Sequence, residues 1–164
     1  MSESSHWDEQ DSKEFIEFSE IIVPSREEQA RLICDLIPAN PDEWFLGLDI
    51  ACGEGQLTKA ILERYPEAQM TLLDGSEEML TTASDNLAGY AYQSDLRSFD
   101  LRDTDWLEEL PKRHRVIVSS LAIHHLDDVE KRDLYRRLFD HLASGGALLI
   151  ADLVHPSSQP AEMA

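Results

Sequence analysis

The sequence predicts a doubly wound α/β fold, a mostly parallel sheet with helices on both faces. Three observations carry this. Short apolar runs of strand length alternate with amphipathic stretches of helical period. Gly, Pro, Asn and Asp stand where the period changes. Helical stretches separate the strand-like runs, as right-handed crossovers between parallel strands require.

In chain order, the acidic segment up to Glu20 carries Phe15, Phe18 and Ile22 at helical spacing and is expected to dock as a short helix. Pro24 interrupts it. Ser25, with Glu28 three residues on, reads as a capping box opening a second helix through Ala30, Ile33 and Ile37, which Pro38 stops. After a turn at Asn40, Pro41 and Asp42, residues 44–50 form strand one. An amphipathic stretch over 56–65 closes at Pro66, residues 70–73 form strand two, and a helix starts at Ser76. Strand three is expected over 91–94, a short helix over 105–110, and strand four over the β-branched run 116–121. Asp127 or Asp128 caps a long helix with Leu134, Leu138 and Leu142 on one face. Gly145 and Gly146 turn the chain into strand five, 147–153. Residues 1–38 are thus expected as an N-terminal helical cap, 39–154 as the core and 155–164 as a flexible tail.

Composition narrows the function classes. With 164 residues, 42% hydrophobic and 29% charged, the chain has ordinary globular usage and the length of one domain. No apolar run reaches the roughly 18–20 residues of a membrane span, and the start, MSESSHWDEQ, lacks the pattern of a secretory signal. Two cysteines, Cys34 and Cys52, without a CxxC pair or a His cluster, point to neither a disulfide framework nor a metal site, and a reducing cytoplasm is expected. Fourteen basic against 33 acidic residues leave a net charge of −19. Such a surface repels phosphate backbones and anionic lipid, so neither nucleic acid nor membrane is expected as a partner.

In open α/β sheets, ligands sit beyond the carboxyl ends of the strands, so the residues just after each strand are informative. Strand one runs into Asp49-Ile50-Ala51-Cys52-Gly53-Glu54-Gly55, whose small residues allow a tight turn and close approach to bare backbone. Strand two ends at Asp74, strand three at Asp95 and strand four at Ser119-Ser120. A carboxylate at the second strand tip is suited to accept both hydroxyl hydrogens of a ribose, and an acid after strand three can meet an adenine amino group.

This set, in this order, resembles the class I S-adenosylmethionine-dependent methyltransferases, especially the small-molecule enzymes of the type 11/12 groups. The resemblance spans roughly residues 33–154 and rests on LGLDIACGEGQLT, TLLDGSEEML, YQSDLRSFDL, VIVSSLAIHHL and LASGGALLIADLVHP. It implies S-adenosylmethionine as cofactor and a small-molecule acceptor. Asp49 belongs to its glycine motif. Ala51, Gly53 and Gly55 would line the methionine and ribose, Asp74 would take the ribose hydroxyls, and Gly75 with Met79 would flank the adenine. Asp95 and Leu96 would sit at its far edge, and Ser119 would offer backbone to the methionine amino group.

His124 and His125 follow strand four, where the family's acceptor pocket begins. Either is a candidate general base, and the plainer alternative is a capping or backbone-bonded role. Arg26 would pair with the methionine carboxylate or else lie solvated on its helix. Cys52 reads as a packed loop residue. Two departures from the family stand out: His114-Arg115 precede strand four where an acid is usual, and the sequence ends about ten residues past strand five, before two further strands and a helix of the full fold. The fold is therefore expected to be truncated after strand five, with a sheet edge open to self-association.

Two other functions compete. A noncatalytic cofactor-binding or interaction module would use the same residues with a partner completing the sheet, and a carboxy-cofactor synthase would need an extra pocket Arg. A dinucleotide site is disfavoured, because Gly53-Glu54-Gly55-Gln56-Leu57-Thr58 lacks the third glycine of that fingerprint.

Overall fold

The computed structural model describes residues 26–103 and 105–153. The expected Phe15, Phe18 and Ile22 helix, the Ser25 cap and the 155–164 tail lie outside these residues. Helix α1, Arg26–Leu36, ends two residues before Pro38. Then follow β1 (Leu46–Ile50), α2 (Gln56–Arg64), β2 (Gln69–Asp74), α3 (Glu77–Asn86), β3 (Ser94–Ser98), β4 (His114–Ser120), α4 (Asp128–His141) and β5 (Leu142–Ala151). Short 3₁₀ turns occupy Ala88–Tyr90, Asp105–Glu109 and Ile123–His125.

The strands form one sheet in the order β3-β2-β1-β4-β5, and every pairing is parallel. The predicted doubly wound sheet is therefore what the chain adopts. Strand alternation sends Met70, Leu72, Val116 and Val118 to one face, where they pack with Ile33 and Cys34 of α1 and Ile61 and Leu62 of α2. Leu48, Ile50, Leu73 and Ile117 face the other way, toward Leu134 and Leu138 of α4 and Leu107 of the 105–109 turn. With both faces covered, the central strands read as continuous apolar runs.

Three expectations need correction. Strand three lies at Ser94–Ser98, not 91–94, because Gln93 belongs to a turn: its amide donates to Pro66 O and Ala68 O at 2.7 and 3.0 Å. As an edge strand it exposes Asp95 and Ser98, which hides it from an apolar-run criterion. Leu142 is not on the α4 face but opens β5. Gly145 and Gly146 do not precede strand five; they form an irregularity within it, where His114 pairs with Leu142 and Val116 with Ala147. A Cβ on Gly146 would lie 2.8 Å from His114 O, so only glycine lets the two strands approach there. The α4 cap is Asp127, whose carboxylate accepts from Val129 N and Glu130 N while Glu130 accepts from Asp127 N.

Candidate functional site

β1 lies between β2 and β4, and the chain leaves β1 and β4 in opposite senses, toward α2 on one face and α4 on the other. A crevice between the two departing loops follows from that topology. Both loops turn through left-handed residues directly after their strands, Ala51 at φ 56° and Leu121 at φ 56°. For non-glycine residues this costs about 1–2 kcal/mol each, a strain typical of functional turns. Cys52 N donates to Leu73 O and Leu121 N to Ala151 O, both at 2.9 Å, anchoring the turns to neighbouring strand ends.

The loop after β1 is held from several sides. Gly53 N donates to Asp74 Oδ2 at 2.8 Å, and Ser76 N donates to Asp74 Oδ1 at 3.0 Å. Asp74 is thus a nearly buried carboxylate at the β2 tip, pointing across to the β1 loop. A Cβ on Gly53 would meet nothing within 4 Å, so the loop's outer side is open. Gly55 is the α2 N-cap at φ 74°, and a Cβ there would stand 3.0 Å from Leu87 Cδ1 and 3.2 Å from Ala83 Cβ. The absent side chain lets α2 start against α3. Asn86 of α3 donates to Glu54 O at 2.9 Å.

Asp49 lies one layer deeper, buried in β1, where Thr58 Oγ1 of α2 donates to its Oδ2 at 2.7 Å. Burial pushes its carboxyl up to about 7; Thr58 opposes the rise and the nearby Asp74 charge adds to it. Ser119, also buried, donates its hydroxyl to Ile50 O at 2.9 Å and pins the two strand tips together. Met79 is buried at the start of α3, its N–H bonded to Ser76 Oγ at 3.2 Å. Gly75 sits against the β3 end, since a Cβ there would be 3.3 Å from Phe99 O.

Helix α1 reaches the same crevice. Arg26 pairs with Glu54 at 2.9 Å, and Ser120 donates to Gln29 Oε1 at 2.9 Å. Arg26 is therefore engaged with the β1 loop rather than solvated.

Asp95 and Leu96 are not placed at a strand end. Both lie inside β3, with Asp95 exposed and paired to Arg97 at 2.7 Å. The tip position belongs to Phe99 and Asp100, beside Gly75: Asp74 pairs with Ser98 and Phe99 N donates to Asp74 O at 3.2 Å. The signal was present, since Ser94-Asp95-Leu96 recurs as Ser98-Phe99-Asp100-Leu101, and the strand shift alone decides between the copies. Sequence reasoning also missed Asp152, having counted it within a strand reaching 153.

His124 and His125 occupy the 3₁₀ turn after β4, their ring centroids 4.1 Å apart. His124 Nδ1 lies 2.6 Å from Asp152 Oδ1, and His124 N donates to Asp152 Oδ2 at 2.9 Å. Among the described residues no group of three His, Cys, Asp or Glu is arranged to hold a metal ion, and no helix is long and apolar enough to cross a membrane.

The profile of a methyltransferase domain matches residues 48–146, the stretch from within β1 to midway along β5. The chain belongs to the methyltransferase domain family, of the class I S-adenosylmethionine-dependent kind. A trans-aconitate 2-methyltransferase of Deinococcus radiodurans is 31% identical over 128 residues, 78% of this chain and 43% of that protein. A trans-aconitate 2-methyltransferase of Azoarcus is 30% identical over 146 residues, 88% of this chain and 49% of that protein. The chain thus spans less than half the length of these curated relatives. A methyltransferase structure from Methanococcus maripaludis shares the fold with a TM-score of 0.70 at 22% identity, covering 93% of this chain and 67% of the other.

Proposed function

We propose that this methyltransferase core transfers a methyl group from S-adenosylmethionine to a small-molecule acceptor. The observation that carries the reading is the Asp74 carboxylate facing an open glycine loop beside the switch point of a parallel sheet. When bound, S-adenosylmethionine would supply a sulfonium-activated methyl carbon open to an acceptor's lone pair, with sulfur as the leaving group.

The chain's own residues bind, orient and exclude water around that centre. The backbone of Ala51, Gly53 and Gly55 lines the methionine and ribose, and Asp74 accepts from the ribose hydroxyls. Gly75 and the first turn of α3 at Met79 border the adenine. Asp95 and Leu96, expected at its outer edge, lie within β3, which favours Asp100 and Leu101 after the strand for that place. Ser119 offers backbone to the methionine amino group, with Asp49 fixing the loop from beneath. Arg26 and Gln29 tie α1, the described part of the proposed cap, to the crevice. His124 or His125 serves as base. A small acceptor fits the net charge of −19, which disfavours polyanions, and the two buried free cysteines suit a reducing cytoplasm.

Calorimetry tests the reading: S-adenosylhomocysteine should bind and NADH should not, and binding of NADH alone overturns it. Self-association belongs to the same proposal. Among the described residues β5 pairs on one side only, and Ile150 and Leu153 are exposed. Sedimentation should show dimers; a monomer at high concentration removes this part.

A further inference from the structure

The Asp152 carboxylate takes three N–H contacts within two residues of chain and one loop. Oδ1 accepts from Leu153 N at 2.8 Å and faces His124 Nδ1 at 2.6 Å, while Oδ2 accepts from the main-chain N–H of the same His124 at 2.9 Å. Gripping one residue by ring and backbone together fixes the rotamer of the imidazole as well as its position. A carboxylate is an acceptor only, so the ring nitrogen facing it carries the proton. Neutral His124 is thereby held as the Nδ1–H tautomer, and its lone pair sits on Nε2. The His124 side chain remains about one-quarter exposed, while Asp152 is mostly covered. The His125 ring packs at 4.1 Å, and on α4 burial raises the Tyr135 phenol with the Asp152 charge adding to the rise.

We propose that Asp152 is a positioning residue that makes His124, rather than His125, the base of the site, and that the acceptor carries a proton on its reacting atom, as a hydroxyl or an amine does. The inference rests on the methyl-transfer reading above. A carboxylate acceptor is already ionised near neutral pH and gives such a base nothing to remove. With a hydroxyl or amine, His124 takes the proton at Nε2 and becomes an imidazolium whose Nδ1–H stays bonded to the Asp152 anion. Solvent then accepts the proton and restores the neutral ring. The same three-group order, carboxylate to imidazole to acceptor, generalises the orienter–base arrangement of nucleophilic enzymes.

Long-range ¹H–¹⁵N correlation of the histidine rings in the full chain near pH 8, assigned with His124→Gln, tests the tautomer directly. The wild type should show Nδ1 protonated and Nε2 bare at His124. In Asp152→Asn the ring should move toward the Nε2–H form that imidazole favours in water. A wild-type His124 protonated at Nε2 overturns the proposal, and this reading does not depend on whether the variant folds. Release of S-adenosylhomocysteine over a panel of small phenols, amines and carboxylic acids tests the acceptor class. Turnover is expected with the first two and should fall about 10²-fold in Asp152→Asn, the lower range for loss of general-base action. Methylation confined to carboxylic acids and unchanged by Asp152→Asn refutes it. Failure of the wild type to bind S-adenosylhomocysteine would instead sink the cofactor reading and leave the measured tautomer standing.

Discussion

Replacing Asp74 by Asn keeps the shape of the β2 tip and removes its charge. In the native site both carboxylate oxygens accept main-chain hydrogen bonds, from Gly53 at 2.8 Å and Ser76 at 3.0 Å. An amide retains one oxygen and turns an NH₂ toward the other donor. One nearly buried N–H is then left unsatisfied, which costs about 1–3 kcal/mol of stability. The ribose hydroxyls lose a charged acceptor worth about 1.5–3 kcal/mol, so S-adenosylhomocysteine should bind about 10- to 150-fold more weakly. Loop disturbance and lost ribose contact are separated by a thermodynamic cycle with a 2′-deoxy ligand. The wild type should lose affinity for the deoxy compound, and Asp74→Asn should lose much less. Calorimetry supplies all four constants. Equal losses in both proteins would refute the assignment, because the hydroxyl would then not sense the carboxylate.

Two buried titratable groups give pH profiles of opposite sign. Asp49 holds its proton up to about 7 against an ordinary 3.8, so its share of stability is full below pH 3.8 and is lost as pH rises through 7, on the order of 4 kcal/mol. Asp49→Asn should therefore raise the urea midpoint at pH 8 and barely alter it at pH 4; a midpoint unchanged at pH 8 would contradict the burial argument. His114 in β4 is fully buried, and burial pulls its imidazole down to about 4 from 6.5, with the His141 backbone opposing and the His141 ring adding to the fall. Its contribution is intact above pH 6.5 and lost as pH falls toward 4, about 3 kcal/mol, so His114→Leu should flatten the acid limb in the same urea series. Gly55→Ala forces a left-handed alanine against Leu87 and Ala83. A loss of about 2–4 kcal/mol is expected in thermal melts, and an unchanged Tm would show that the α2 start can shift.

Much of this architecture was legible because the central strands are buried on both faces. The β1 run, the β-branched β4 and the glycine loop between β1 and α2 announce themselves by composition alone. Asp74 followed from the end of an apolar run. Strand three was displaced because an edge strand carrying Asp95 and Arg97 has no apolar signature, and the end of its run could not be counted without the register Met70 to Ser94. Asp49 was read as part of the glycine motif, while its depth and its bond to Thr58 depend on how α2 packs, which sequence spacing does not encode. Asp152 was hidden by two residues of strand length. The contact between His124 and Asp152 spans 28 residues and arises only when β4 and β5 pair.

The irregularity at Gly145 and Gly146 resets the register of every β5 residue after it. Between its first two pairings β4 advances from His114 to Val116, while β5 advances from Leu142 to Ala147. Were the pairing begun at Leu142 to run on regularly through these residues, Leu149 would stand beside Leu121 where Asp152 now follows Ala151. A strand rises about 3.3 Å per residue, so the acid would stand roughly 10 Å from its imidazole. A one-residue slip of 147–151 against β4 would move it by one step and also turn its side chain to the opposite face. In descendants of this sequence, changes that alter that register would act as an on–off adjustment of the base, leaving the β1 loop and Asp74 untouched.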